Sequence, residues 1–213
     1  MRNIFAMAGL LVSLCGAAQA DPCFGGTVAS YIAASSCTFF GSTISDFSYQ
    51  SNASGGAASV DASKVAVNPE IIAGENGLLF SAKWSVGPGE VEDSIIGFTI
   101  TCVQCKINDL ILDLAGSAGS SGIATVMENS SSPALSLTTA GLNLADIVTF
   151  PPVSSIALVT KIEVSGGTAA NGFAQITTAS TLFSSVPEPR FGMLCLGGAL
   201  LISLFQRKSK LRG

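Results

Sequence analysis

The chain has 213 residues, with ten Lys and Arg, fourteen Asp and Glu, and no histidine. Hydrophobic residues make up 48% of it and charged residues 11%, which excludes a disordered chain, because disorder goes with low hydrophobicity and high charge. Without histidine there is no Ser-His-Asp or Cys-His catalytic pair and no His-ligated metal.

The chain begins Met1-Arg2-Asn3, continues as an apolar run over residues 4–14, and reaches Ala18-Gln19-Ala20. One cation, an apolar stretch of about ten residues and a small-x-small site predict a secretory signal peptide over 1–20, cleaved after Ala20. Export through the secretory pathway follows.

Residues 21–186 then form one domain of ordinary size. It carries four lysines against thirteen carboxylates, a net charge of −9. Such a surface repels nucleic acid and anionic lipid alike. It suits solubility outside the cell, or cation binding.

Period-two alternation is the main signal inside the domain. Over residues 78–86, Leu78, Phe80, Ala82, Trp84 and Val86 share one face, and Ser81, Lys83 and Ser85 share the other. Ile96, Phe98, Ile100 and Cys102 alternate with Gly97, Thr99 and Thr101, and the same pattern recurs over 156–164. Shorter runs read as strands near residues 27–33, 47–50, 64–67, 110–115, 123–128, 146–150 and 173–178. Clusters of Gly, Asn, Pro and Ser separate them at 54–56, 76–77, 87–89, 116–122 and 166–167. About ten short strands without a convincing amphipathic helix predict an all-β domain, a β-sandwich or jelly roll.

Cys23, Cys37, Cys102 and Cys105 remain after signal removal. In an exported domain they predict disulfides, with three possible pairings, of which local closure is the simplest. Cys102-Val-Gln-Cys105 has the spacing of a redox motif, but no thioredoxin-like βαβ pattern surrounds it. Four reduced thiols around zinc do not suit an oxidising compartment.

The densest polar cluster is Gly87-Pro-Gly-Glu90-Val-Glu92-Asp93-Ser94. Its three carboxylates, Glu90, Glu92 and Asp93, are the candidate ligands for calcium, a cation that takes six to eight oxygen ligands; a solvated acidic turn is the competing reading. No other cofactor is indicated. Asp109 and Asp113 would add to the site only if the fold brought them near. A carboxylate pair hydrolysing glycosides has no support in the spacing, and no catalytic residue is assigned. Trp84, Tyr31 and Tyr49 are the domain's only Trp and Tyr; Trp84 lies on the inward face of its strand, which favours packing over a sugar platform. Asn52 and Asn129 begin acceptor-like Asn-x-Ser triplets in a chain already rich in serine.

After Val186 come Pro187-Glu188-Pro189, Arg190, an apolar stretch over 191–205, and a tail with cations at Arg207, Lys208, Lys210 and Arg212. Fifteen helical residues span about 22 Å against a hydrocarbon core of about 30 Å, so the stretch reads as a short transmembrane helix. The cations hold its far end cytoplasmic and the domain outside. This order of proline-glutamate-proline box, apolar helix and basic tail over 187–213 resembles the PEP-CTERM sorting signal. The resemblance implies that Pro187, Glu188 and Pro189 are recognised by an exosortase-type membrane protease. It also implies transient membrane anchoring before delivery to the cell surface or medium, and association with exopolysaccharide. Cys37 with residues 41–47, and Asp93-Ser94 leading into 95–101, are similar more loosely to the bodies of small PEP-CTERM proteins, which implies an extracellular β domain. The expected function is a non-catalytic surface or matrix protein; the alternative is a carbohydrate-binding module, calcium-dependent or not.

Overall fold

The structure, a computed structural model, describes residues 20–131, 134–140 and 145–187. The signal peptide expected over 1–20, except Ala20, and the sorting signal expected over 187–213, except Pro187, lie outside the described residues. Twelve described strands form two six-stranded antiparallel sheets, the sandwich that the alternation predicts. The first sheet runs β1 (Gly26–Thr27), β4 (Ala66–Ile72), β5 (Glu75–Val86), β12 (Phe173–Pro187), β7 (Cys105–Gly119), β10 (Ala145–Val153). The second runs β2 (Ser36–Phe39), β3 (Ser42–Ser54), β6 (Val91–Cys102), β11 (Ser155–Ser165), β8 (Ile123–Ser131), β9 (Ala134–Ala140).

The inward faces are those that period two assigns. Leu78, Phe80 and Trp84 of β5 and Leu110, Leu112 and Leu114 of β7 meet Ile96, Phe98 and Ile100 of β6 and Leu158, Ile162 and Val164 of β11, all buried. Each such side chain contributes about 1.5–3 kcal/mol through burial. Aromatic rings of Tyr31, Phe47, Phe98 and Phe80 continue the core in a line with successive centroid separations of 4.9, 5.6 and 5.8 Å.

One expected strand is a helix. Residues 27–33 alternate weakly, yet the chain forms α1 (Val28–Ala34). Thr27 is its N-cap: its hydroxyl accepts from the Ser30 amide at 3.2 Å, and the Ser30 hydroxyl accepts from the Thr27 amide at 2.8 Å. This reciprocal cap satisfies two amides that a helix start leaves open. Val28 and Tyr31, three residues apart, turn into the core, and three-residue spacing is helical.

β12, the last strand, is central in its sheet, lying between β5 and β7. It runs one residue into the proline-glutamate-proline box, with Pro187 opposite Cys105. Proline lacks an amide donor and is tolerated where a strand ends. The described residues therefore end on a central strand.

Cys23 joins Cys37, and Cys102 joins Cys105, with Cα separations of 4.8 and 5.3 Å. The first bond ties the segment before β1 to β2, and the second links β6 in one sheet to β7 in the other. Closing a loop of about fifteen residues stabilises by about 3 kcal/mol through the unfolded chain. Cys23→Ser is expected to lower the melting temperature accordingly, and alkylation of unreduced protein should find no free thiol among these four cysteines.

Candidate functional site

The acidic turn is arranged by the fold for structure. At Glu90 the carboxylate turns back on its own loop, Oε2 accepting from the Gly87 amide at 2.6 Å. The loop packs backbone to backbone on the β11–β12 connection: the Gly89 amide donates to the Gly167 carbonyl at 2.7 Å, and the Gly166 amide to the Glu90 carbonyl at 3.0 Å. A Cβ on Gly166 would collide with the Gly87 carbonyl. Glu92 then points into the core and Asp93 points outward, as neighbours on a strand must. The structure thus does not bring Glu90, Glu92 and Asp93 together, and among the described residues no group of three or more Asp, Glu, Cys or His is placed to hold a metal ion.

Glu92 belongs instead to an interior network. Ser94 Oγ donates to Glu92 Oε1 at 2.9 Å, Trp84 Nε1 donates to Ser94 Oγ at 3.0 Å, and the Tyr49 hydroxyl lies 2.9 Å from Ser94 Oγ. Tyr49 and Ser51 also donate to the Val60 carbonyl, at 2.6 and 2.8 Å, which fixes the segment that follows β3. Trp84 comes from the first sheet and Ser94 from the second, so the network staples the two together. Burial pushes the Glu92 carboxyl up to about 7, against the opposing pull of Ser94 and the Val60 amide.

A second buried carboxylate makes a similar staple. Glu128 on β8 accepts through Oε2 from Thr160 of β11 at 2.9 Å and from Thr181 of β12, in the opposite sheet. Burial raises its carboxyl to about 7, and the two threonine hydroxyls oppose that rise. Sequence reasoning passed over Glu128 although the signal was present: Ala124, Val126 and Glu128 share one parity on a short strand, and the first two are core residues.

The outer face of the first sheet is the surface best suited to a ligand. Val67, Phe80, Leu112 and Phe183 turn inward, so Asn68, Leu79, Leu182 and Ile111 turn outward from the same strands. Two outward residues of the central strand, Ser180 and Leu182, are nonetheless only 4% exposed. The strand is thus enclosed on both faces at this point. Opposite Leu182, Gly77 gives the leucine room to lie flat: a Cβ there would strike the Leu182 side chain and the Thr181 carbonyl. Ile147 of β10 stands exposed on one side. On the other side stand Glu70 of β4 and Glu75 of β5, diagonal neighbours on this face. Glu70 Oε1 and Glu75 Oε2 are buried and have no hydrogen-bond partner among the described residues.

Burial, and after it the charge of Asp113, hold the Glu70 carboxyl above its ordinary range. Asp113 sits on β7, three strands from β4. At about 4.8 Å per strand a flat sheet would separate the two backbones by about 14 Å. This face thus offers hydrogen-bond acceptors beside aliphatic side chains, and its carboxylates repel anions. Of this face the sequence singled out only Asp109, whose Oδ1 accepts from the Ser184 amide at 2.9 Å, and Asp113, because no local pattern tells which strands lie side by side.

No protein-family model and no curated protein matches this sequence. Among solved structures, the chain is similar to TmCBM61 in complex with β-1,4-galactotriose, with a TM-score of 0.33 and 8% identity over 66% of this chain and 88% of that one. A family 11 carbohydrate-binding module of the cellulosomal cellulase Lic26A-Cel5E of Clostridium thermocellum gives 0.23 and 10%, over 67% and 90%. A family two carbohydrate esterase from Cellvibrio japonicus gives 0.23 and 15%, over 68% of this chain and 36% of that one. At such scores and identities, function has to be argued from this chain's own residues.

Proposed function

We propose that this chain is an exported glycan-binding module that acts at the cell surface or in the extracellular matrix by binding and not by turnover. The observation that supports it is the pair of carboxylate oxygens, Glu70 Oε1 and Glu75 Oε2, buried with no donor among the described residues on the face that carries Ile111 and the exposed Ile147. A buried acceptor without a donor is costly, and a ligand rich in hydroxyls supplies donors. The C–H faces of a sugar ring suit Ile111 and Ile147, and the carboxylates turn away polyanions. Uncharged polysaccharide is therefore the ligand class. The two carboxyls driven up to about 7, Glu92 and Glu128, are enclosed between the sheets, where no substrate reaches them, and this favours a binding role. Sorting by the 187–213 segment, with exosortase processing, would deliver the module to its site of action.

The test is retention of the full chain on immobilised neutral glycans, β-1,4-galactan and mixed-linked β-1,3-1,4-glucan included, with polygalacturonate as the anionic control. The double substitution Glu70→Gln with Glu75→Gln should weaken neutral-glycan binding about tenfold or more, since hydrogen bonds to charged groups contribute about 1.5–3 kcal/mol each. Equal binding by the variant, or retention on polygalacturonate alone, would overturn the reading.

A further inference from the structure

The two ends of the sandwich differ in kind. One end carries the connections around 87–90, 119–122 and 166–172, packed together through glycine backbones, with Ile123 and Phe173 exposed singly beside them and the carboxylate of Glu90 among them. The opposite end carries the tips of β2–β3, β4–β5, β6–β7 and β10–β11 and the last residues of β12. These four connections, Phe40-Gly41, Ala73-Gly74, Val103-Gln104 and Ser154, contain no charged residue, in a domain with thirteen carboxylates and four lysines. Large apolar side chains stand out from them instead: Phe40 is 64% exposed, Val103 70% and, at the end of β12, Val186 51%. Ile71 and Ile72 are exposed beside the β4–β5 tip. Single exposed hydrophobics are ordinary, but several gathered on one end mark a contact surface.

These residues are neighbours on rigid supports. Ser42, two residues after Phe40, pairs with Cys102; Cys102 is bonded to Cys105; Cys105 pairs with Pro187, next to Val186. Phe40 packs edge-on against Phe39 with centroids 4.8 Å apart, and Val103 sits in the loop that the Cys102–Cys105 bond closes. Phe40 thus leans on a neighbour that itself packs against the core, and Val103 stands out from a short closed loop.

What lies opposite this end follows from the chain itself. Only Glu188, Pro189 and Arg190 separate Pro187, the last residue of β12, from the apolar stretch at 191–205. That gap spans at most about 14 Å even when fully extended. A bilayer's polar layer is about 5–8 Å thick on each side of its hydrocarbon core. If the apolar stretch enters a bilayer, this end of the sandwich therefore lies on that bilayer's surface or within about 9 Å of it.

We infer that the end of the sandwich bearing Phe40, Val103 and Val186 is a lipid-docking surface, whose apolar tips enter the outer membrane–water interface when the 191–205 segment is inserted. The inference rests on the anchoring part of the proposed function and is independent of the glycan site. Docking fixes the sandwich upright on the membrane and keeps the proline-glutamate-proline box within the interfacial layer, where a membrane protease would reach it. Because the tips carry no charge, the attraction comes from apolar burial and not from anionic headgroups.

The test uses the full chain with its tail intact, reconstituted into phosphatidylcholine vesicles whose acyl chains carry bromine close to the headgroup. Phe40→Trp reports on the docking end and Phe173→Trp on the opposite end, with Trp84 as the common background. Bromine should quench about half or more of the added Phe40→Trp emission, since interfacial side chains enter about 5–10 Å, and should leave Phe173→Trp unchanged. Val103→Trp should repeat the result should Phe40→Trp fail to fold. Equal quenching at both ends overturns the docking surface. So does a blue-shifted Phe40→Trp emission without quenching, which would mean that protein covers this end, either the chain's own apolar segment or a second copy. A full chain that does not associate with vesicles overturns the anchoring reading and the docking surface together, while an inserted chain with unquenched tips overturns docking alone.

Discussion

Replacing Ser94 by alanine is expected to destabilise the domain by roughly 3–5 kcal/mol, because a buried donor or acceptor left without a partner costs about 1–3 kcal/mol and this change strands more than one. Ser94 Oγ receives the Trp84 indole, meets the Tyr49 hydroxyl and donates to Glu92. Without it, Trp84 Nε1 and Glu92 Oε1 lose the only partners that tie them together across the interior. Tyr49 keeps its bond to the Val60 carbonyl, so the loss concentrates on the indole and the carboxylate. Chemical denaturation of Ser94→Ala measures the cost, and a double-mutant cycle with Glu92→Gln measures the coupling. A coupling near zero would mean that the two groups do not act as one network. A threonine at 94 retains the hydroxyl and should recover part of the loss.

The second large effect is one of pH. The folded protein holds the Glu128 carboxyl up at about 7, above its ordinary value of 4.5, chiefly through burial. A raised carboxyl binds its proton more tightly in the folded state than in the unfolded one. Its contribution to stability is therefore complete below pH 4.5 and is lost as the pH rises through about 7. At about 1.4 kcal/mol per unit, the difference corresponds to about 3 kcal/mol from Glu128. Glu92 acts in the same direction over the same window. The domain is expected to be more stable at pH 5 than at pH 8, the reverse of a protein whose carboxylates are salt-bridged. Glu128→Gln keeps an acceptor for Thr160 and Thr181 but cannot ionise. It should raise the melting temperature at pH 8 and change it little at pH 5. A wild-type protein whose stability climbs steadily from pH 5 to pH 8 would show that neither carboxyl is held protonated.

Period-two hydrophobicity was enough for the sandwich and for the inward faces of β5, β6 and β11, because alternation reports burial directly on a strand covered on one side. Carried two residues back from Ile96, the same parity runs through Ser94 to Glu92, so the burial of Glu92 was legible as well. Its place in an acidic run made it look like one of three equivalent carboxylates, when strand geometry sends Glu92 and Asp93 to opposite faces. For α1, the Thr27 to Ser30 cap was visible in the letters, but five small or β-branched residues masked the helical spacing of Val28 and Tyr31. β2 and β9 are edge strands, each paired on one side only, with β3 and β8, and a short run at a sheet edge carries little signal of its own.

What the sequence by itself determined, then, is whatever depends on near neighbours in the chain: the strand pattern, the glycine turns and the cysteine pairs close enough to join locally. Tertiary structure decided everything that depends on which strands become neighbours. It put β12 between β5 and β7, which brings Leu182 and Ser180 alongside Glu70, Glu75 and Asp113 and carries Thr181 to Glu128 across the core. It also gathered Phe40, Val103 and Val186 at the end of the sandwich from which the apolar tail continues. Strand order follows from the packing of whole faces and the closure of long loops, a sum over many weak contacts that no local window of residues contains.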